Sequence, residues 1–326
     1  MEQSITVSSE EIFIEAQLFV HKDYSITGKD IIVDIFAKHY AGQPVRIHTR
    51  DGENVEYSGF VKFIESVFTM FSVPFDLVTW ETHDGNLQVN PRSKHRRLVP
   101  GIFVTAGNYV KPFTKELVNP KFIGASLGRF NAVRLRLAHE MDHEFPDDNY
   151  LIFQPNVNEV RQQFRHVSDV YRIELAWLES KTFDTGMQSN SPVGTIEWRY
   201  ACSTYQDIWT KYQIEIVSET DAQSNFWLTE KTARCLVTGK PFALLSGTDS
   251  LKYLKDLGFT TFGNVIDESY DQATNPTQRI QLMLSSLKEL YTSQDKDQRI
   301  KQMYAIALSN INAYKECIAT QKETYD

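Results

Sequence analysis

The chain has 326 residues, which is long enough for about two domains, each with its own hydrophobic core. Hydrophobic residues make up 41% of it and aromatic side chains are plentiful, a composition that excludes an intrinsically disordered chain. The net charge of −8 argues against a protein whose main surface binds the phosphate backbone of a nucleic acid, because such a surface needs an excess of Lys and Arg.

The spacing of the cysteines and the hydropathy of the chain indicate the cellular compartment. Cys202, Cys235 and Cys317 are too far apart to indicate a zinc knuckle or a disulfide framework. The first residues lack a basic segment followed by an apolar core, and no run of 18 apolar residues occurs. We therefore expect a cytoplasmic protein without a membrane span.

The N-terminal part of the chain has few clear elements. Residues 29–38 fit a helix and a strand equally well, whereas residues 60–71 carry apolar side chains at helical spacing. Residues 75–80 are typical of a strand, and a polar loop is predicted to begin at Glu81. The basic stretch at 92–97 is either a solvated loop or a contact for a polyanion.

From residue 121 onward, strands and helices alternate clearly. Asn131 and Thr229 are predicted N-caps, and Gly239 is the predicted end of the helix that Thr229 begins. The alternation predicts a parallel α/β sheet, and ligands bind such sheets at the carboxyl ends of the strands. Strands are predicted at 121–125, 150–153, 214–217 and 242–245, and helices at 131–144, 229–239, 251–257, 277–290 and 297–321.

The segment that begins at Thr229 indicates a ligand site. Glu230 and Lys231 fall in the first turn of a helix, where free N–H groups and positive potential suit a phosphate. Lys231 adds a full charge for a diphosphate, and Glu230 can accept hydrogen bonds from the vicinal hydroxyls of a ribose. The alternative is that both are ordinary surface residues of a helix.

This block resembles the donor-binding motif of α-1,3-fucosyltransferases, and still more the fucosyltransferase-like glycosyltransferases of phages and marine bacteria. Three phrases carry the resemblance: Ser-Glu-Thr-Asp at 218–221, Thr-Glu-Lys at 229–231 followed by Gly-Lys-Pro at 239–241, and Ile-Asp-Glu-Ser-Tyr-Asp at 266–271. It covers roughly residues 120–275. It implies an α/β fold of two Rossmann-like domains, the GT-B type, with parallel sheets, a cleft between the domains and the donor held by the C-terminal one.

The expected two-domain fold implies bounds for the two domains. We place an acceptor-side domain at 1–115 and a nucleotide-sugar-binding domain at 116–326. In such folds the last helix can pack back on the N-terminal domain.

The resemblance also implies the roles of individual residues. Lys231 would hold the diphosphate and Glu230 the ribose, with Arg134 gripping the diphosphate and Arg129 as second choice. Glu219 stands where the fucosyltransferases carry an Asn-containing phrase, which leaves the nucleobase and the sugar open. The remaining donor-site candidates are Asp221, Asn225 and Thr229.

Glycosyl transfer needs a base that takes the proton of the acceptor hydroxyl. We expect it in the N-terminal domain, among Glu81, His83 and Asp84, with Asp51 and Glu53 as second choices. The alternative is an ordinary polar turn.

Two metal sites are weaker alternatives. His139, Glu140 and His143 match the His-Glu-x-x-His pattern of zinc hydrolases, but the sequence offers no evident third ligand. Glu219 and Asp221 can be read as an acidic pair for a hard cation. Because Lys and Arg can neutralise a diphosphate, we expect no metal and no cofactor.

The sequence thus predicts a metal-independent, inverting glycosyltransferase that uses a nucleoside-diphosphate sugar. The acceptor would be a glycan or a hydroxymethylated base in phage DNA, in which case the compartment would be the host cytoplasm. The alternative from another class is a nucleotide-binding module without catalysis.

Overall fold

The structure is a computed structural model. It describes residues 5–16, 26–49, 58–82, 89–97, 103, 112–113, 116–127, 131–153, 172–180, 207–219 and 228–325. The chain divides into two compact units, Met1–Gly101 (unit 1) and Ile102–Asp326 (unit 2). The sequence-based boundary at residue 115 falls a little later in the chain.

Unit 1 is built on a sheet whose described strands lie in the order β1-β2-β3-β4-β5. Strands β2 to β5 are parallel, and β1 is antiparallel to β2. The strands are β1 Ile5–Val7, β2 Ile12–Glu15, β3 Val45–Thr49, β4 Val78–Thr82 and β5 Lys94–Arg97; the helices are α1 Lys29–His39 and α2 Ser58–Met70.

The core of unit 1 lies on one face of this sheet. Ile14, Ile47 and Trp80, from three neighbouring strands, are fully buried together with Phe36 of α1 and Phe68 of α2. Because side chains alternate along a strand, the residues between them lie on the opposite face. That opposite face carries ionisable side chains.

Unit 2 is built on a second sheet with the strand order β7-β6-β8-β9, in which all described pairings are parallel. Helix α3 packs against α7, and α5 packs against α8. The strands are β6 Lys121–Leu127, β7 Asn149–Phe153, β8 Tyr212–Ser218 and β9 Phe242–Leu245; the helices are α3 Ala132–Glu144, α4 Arg172–Ser180, α5 Glu230–Thr238, α6 Ser250–Asp256, α7 Pro276–Thr292 and α8 Lys296–Tyr325.

The predicted parallel α/β class is confirmed for the described sheets, and most predicted elements of unit 2 are confirmed as well. The side chain of Asn131 accepts a hydrogen bond from the backbone N–H of Arg134, which makes it the N-cap of α3. Thr229 caps α5 in the same way through the N–H of Lys231. Gly239 ends α5 in the left-handed conformation, with φ of 72°, which a glycine adopts without strain.

In unit 1 the structure decides one assignment that the sequence left open and corrects another. The ambiguous segment at 29–38 is helix α1. The strand predicted at 75–80 begins as the 3-10 turn Phe75–Leu77 and becomes the strand β4 only at Val78. That strand continues through Glu81 and Thr82 because they pair with His48 and Thr49 of β3.

The last helix packs within unit 2. Tyr304 of α8 donates to the backbone carbonyl of Gln213 at 3.0 Å, and Asn310 exchanges hydrogen bonds with the backbone of Thr260. Leu308 lies over Gly239, where an added Cβ would come within 2.9 Å of it. These contacts make α8 part of the packing around α5.

Candidate functional site

The direction of strand succession in unit 2 reverses between β6 and β8. The chain leaves β6 toward β7 on one side, and it leaves β8 toward β9 on the other. In open parallel sheets, ligands bind where the direction of strand succession reverses in this way. The residues at this edge are therefore the first to consider as a site.

The start of α5 is fixed at this edge by a buried carboxylate. Glu219 follows the last residue of β8 and accepts hydrogen bonds from the N–H of Thr229 at 2.9 Å and from its hydroxyl at 2.5 Å. The hydroxyl of Thr232 donates to the same carboxylate at 2.6 Å. Glu219 thus ties the end of β8 to the first turn of α5, and its carboxylate faces the helix.

Lys231 lies close to this carboxylate but is not fully enclosed. Its Nζ is 3.0 Å from Thr229 Oγ1, 3.3 Å from Glu230 Oε1 and 3.6 Å from Glu219 Oε2. Its side chain keeps 18% of its exposure. A cation held in this way can meet an incoming anion without a large loss of side-chain entropy.

Glu230 is held ionised next to Lys231. Burial alone would raise the pKa of Glu230, but the charges of Lys231 and Arg234 outweigh it. Hydrogen bonds from its own backbone N–H and from Thr229 add to this effect and bring the pKa to about 2. At neutral pH, Glu230 is therefore a carboxylate that can accept hydrogen bonds from hydroxyl groups.

Arg134 approaches the same strand end from α3. It is buried, and its Nη2 donates to the backbone carbonyl of Ser218 at 3.0 Å. Lys231 contacts Glu219, the next residue, so two cations from different helices meet consecutive residues at the end of β8. A guanidinium, an ammonium and a helix start thus meet at this strand end, where the carboxylates of Glu219 and Glu230 lie beside the ammonium.

Sequence reasoning missed a further cation at this edge, the buried Arg279. Arg279 of α7 donates to the backbone carbonyl of Ser246, directly after β9, and to Thr248 Oγ1 at 2.9 Å. It also donates to the carbonyl of Ala273. Arg279 thereby holds the loop that follows β9. Ser246 and Thr248 are 33 and 31 residues away in sequence, so no local pattern indicates these two contacts.

The predicted base candidate Glu81 lies in β4 and not in the loop that the sequence suggested. It is 2% exposed, its backbone carbonyl accepts from Thr49 Oγ1 at 3.4 Å, and its carboxylate is 3.7 Å from Arg46 Nη1. His48, which the sequence did not single out, lies beside it in register on β3 and is 6% exposed. Other predicted site residues lie outside the described residues: His83, Asp84, Asp51, Glu53, Arg129, Asp221 and Asn225.

The histidines of the His-Glu-x-x-His match contact neighbouring side chains. His139 meets the ring of Trp177 edge-on, with 5.6 Å between centroids. Glu140 pairs with Arg136 at 2.8 Å, and His143 is largely exposed beside Glu144. Across the described ranges, no group of three or more His, Cys, Asp and Glu side chains is placed to hold a metal ion.

Comparison of the sequence with the known protein families gives no match, and comparison with curated proteins gives none either. No helix in the part of the chain that the structure describes is both long and apolar enough to cross a membrane.

Proposed function

We propose that this chain is a glycosyltransferase that uses a nucleoside-diphosphate sugar as donor. The observation that carries the proposal is the approach of Arg134 and Lys231 to consecutive residues, Ser218 and Glu219, at the carboxyl end of β8. A diphosphate carries negative charge on two neighbouring phosphates, and two cations close to the start of α5 support its binding at this strand end.

Donor binding would use groups with different tasks. Lys231 and Arg134 would neutralise the diphosphate, and the N–H groups at the start of α5 would add positive potential. Glu219 would keep that helix start in place. Glu230, ionised at neutral pH, would accept hydrogen bonds from the ribose hydroxyls.

The same groups would promote transfer. As the bond between the sugar and the diphosphate breaks, negative charge develops on the leaving oxygen. Cations already in place stabilise that charge without reorganisation. A metal ion is therefore not needed for this role.

We further propose the GT-B type of organisation, with unit 2 as the donor-binding half and unit 1 as the acceptor side. Glu81 of unit 1 would take the proton of the acceptor hydroxyl, with His83 and Asp84 as its alternatives. The acceptor would be a glycan or a hydroxymethylated base in DNA. The position of Glu81 at the carboxyl end of a parallel strand supports this choice.

A thermal-shift screen tests donor binding. GDP, UDP, dTDP and their sugar conjugates are added to the purified chain, and one of them should stabilise it by about 3 kcal/mol at a hundred times its dissociation constant. Lys231→Glu should remove this stabilisation, because it reverses the charge next to the diphosphate. Lys301→Glu, at an exposed position on α8, is the matched control and should leave it unchanged.

Transfer separates an enzyme from a binding module. The donor that stabilises the chain is incubated with it, and release of the nucleoside diphosphate is followed over time. Turnover supports the transferase, whereas binding without turnover supports a nucleotide-binding module. Absence of stabilisation by every nucleotide would contradict both functions.

A further inference from the structure

The hydroxyl of Ser218, the last residue of β8, is buried without a hydrogen-bond partner. Ser218 is 2% exposed, and no residue in the described ranges offers its Oγ a hydrogen bond. A buried hydroxyl ordinarily has a partner, because removing a polar group from water costs free energy that a hydrogen bond offsets. The exception at Ser218 therefore needs a physical reason.

The Ser218 side chain lies on the face of the sheet opposite to α5. The ladder between β8 and β9 continues to Glu219, whose carboxylate turns toward α5 and accepts from Thr229 and Thr232. Successive side chains of a strand point to opposite faces, so Ser218 points away from α5. Arg134, in the first turn of α3, donates to the backbone carbonyl of Ser218 at 3.0 Å. The start of α3 therefore lies beside Ser218.

The starts of α3 and α5 approach this strand end from different sides. Helix α3 leads from β6 to β7, and α5 leads in the other direction along the sheet, from β8 to β9. Connections between parallel strands are right-handed, so the two helices cover opposite faces of the sheet. In agreement with this, α3 packs against α7, whereas α5 packs against α8.

The start of α3 suits a negatively charged group. The first N–H groups of a helix have no partner within the helix, and they carry positive potential. Asn131 and Ala132, where α3 begins, are half-buried, so solvent reaches this helix start. A hydroxyl that can donate, placed beside a helix start, is suited to a phosphate oxygen.

A second buried hydroxyl shows what distinguishes Ser218. Ser286 of α7 is 7% exposed, and it also lacks a hydrogen-bond partner among the described residues. It lies two residues before Lys288, which donates to the backbone carbonyl of Glu144, the last residue of α3. Ser286 is thus near the end of α3, where the helix potential is negative, and Ser218 is near its positive start.

We propose that the hydroxyl of Ser218 donates a hydrogen bond to a phosphate oxygen of the nucleotide donor at the start of α3. The inference rests on the proposed function and adds a binding residue to it. A diphosphate that spans this strand end would place one phosphate beside Lys231 at the start of α5 and the other beside Ser218. Ser218 acts on binding alone and forms no covalent bond with the donor.

The test compares Ser218→Ala with Ser286→Ala in the full chain. Each variant loses one buried hydroxyl, but only Ser218 lies at the carboxyl end of the sheet. Thermal unfolding is measured without ligand. Dissociation constants are measured for the nucleoside diphosphate found in the thermal-shift screen and, by competition with it, for inorganic pyrophosphate. Pyrophosphate carries two phosphates without a nucleoside or a sugar, so it isolates the phosphate contact.

We expect Ser218→Ala to weaken the binding of both probes by the same factor, about 10- to 100-fold, because a hydrogen bond to a charged acceptor is lost. Its unfolding temperature without ligand should be no lower than that of the wild type, since the lost hydroxyl has no partner in the free chain. Ser286→Ala should also keep the unfolding temperature, and it should leave both dissociation constants unchanged.

A second variant separates the hydroxyl from the space that it fills. Ser218→Cys keeps the size of the side chain but has only a weak donor, and it should also weaken both probes. Unchanged affinity in Ser218→Ala would overturn the inference and leave the proposed function standing. A loss confined to the nucleoside diphosphate, with pyrophosphate unaffected, would assign the contact to the nucleoside and overturn it as well.

Two further results have distinct meanings. A lower unfolding temperature without ligand in both Ser218 variants would show that the hydroxyl stabilises the free fold, and the inference would be wrong. Failure of the proposed function appears earlier, in the wild type, because no nucleoside diphosphate or nucleotide sugar would then stabilise the chain.

Discussion

Both ends of the sheet in unit 2 carry charged side chains, but the surroundings of these charges differ. At the amino end, Lys240 is fully buried and donates to the backbone carbonyls of Trp209 and Tyr212 at 3.0 and 2.5 Å. Its charge also interacts with that of Glu215, which accepts from the Tyr212 hydroxyl. At the carboxyl end, Lys231 stays partly exposed on the first turn of a helix.

This difference distinguishes charged side chains that only stabilise the fold from charged side chains that a ligand can contact. Burial lowers the pKa of Lys240 to about 7 and raises the pKa of Glu215, so the amino end tolerates its ions only as an enclosed pair. At the carboxyl end, Glu230 has its pKa lowered to about 2 and remains charged. Lys231, whose side chain keeps 18% of its exposure, is therefore better placed to meet a ligand than the enclosed Lys240.

We expect the largest loss of stability from removing the buried cation at the amino end of the sheet. Lys240→Met leaves two buried carbonyls without their donor and Glu215 with Arg234 as the remaining nearby cation, and we expect it to lower the free energy of unfolding by about 3 kcal/mol. Urea denaturation measures this. The stabilisation that a nucleoside diphosphate adds should be unchanged in the variant, provided that it folds.

The double variant Lys240→Met with Glu215→Gln gives the control for that loss. Because it removes both charges of the pair, it should be less destabilised than the single variant. A single variant that loses less than about 1 kcal/mol would contradict the structural role of Lys240.

The next effect concerns the carboxyl end. Glu219→Gln replaces a carboxylate that accepts three hydrogen bonds from Thr229 and Thr232, and the new amide group cannot accept at both positions. We expect a loss of about 2 to 3 kcal/mol in urea denaturation and weaker diphosphate binding, because the start of α5 is no longer fixed. Glu289→Gln, at an exposed carboxylate, should change neither quantity. Unaltered binding in Glu219→Gln would show that this helix start does not contact the ligand.

These sites also show which parts of the molecule the sequence could predict. The caps at Asn131 and Thr229 were predictable because each side chain bonds to the backbone two or three residues further on. The strands β6, β8 and β9 were predictable because they are short apolar runs between helices. Lys231 and Glu230 were identified from their place in the first turn of a helix.

The remaining contacts join residues that are distant in sequence. Arg134 and Ser218 are 84 residues apart, and Arg279 and Ser246 are 33 apart. His48 and Glu81 are neighbours only because β3 and β4 pair in register. A one-residue shift of that register would place them on opposite faces, so their proximity could not be inferred from the sequence.

A smaller effect tests the packing of the amino end. The ring of Tyr212 lies against Gly124, where an added Cβ would come within 2.3 Å of it. Because Tyr212 is fully buried and cannot move away, Gly124→Ala should cost about 2 kcal/mol in urea denaturation. Gly59→Ala is the control: the nearest atom to its Cβ is 3.9 Å away, and alanine favours helix α2, so we expect a slight gain in stability.

We expect the smallest effect on stability from the ionisation of Glu230, which tests the electrostatic difference between the two ends of the sheet. The pKa of Glu230 is about 2 in the folded chain and 4.5 as its ordinary value, so the folded state is stabilised above pH 4.5. That stabilisation is lost as the pH falls from 4.5 toward 2. The shift corresponds to at most about 3 kcal/mol, and partial exposure of Glu230 reduces our expectation to about 1 to 2 kcal/mol at pH 7.

Glu230→Gln should therefore be less stable than the wild type at pH 7, and the difference should shrink steadily in urea denaturation at pH 5, 4 and 3. Charge at the carboxyl end would then contribute to stability by remaining ionised, in contrast to Lys240, whose charge is disfavoured by burial. A difference that stays constant between pH 7 and pH 3 would mean that Lys231 and Arg234 do not hold Glu230 in its ionised form, and the proposed ribose contact would lose its electrostatic basis.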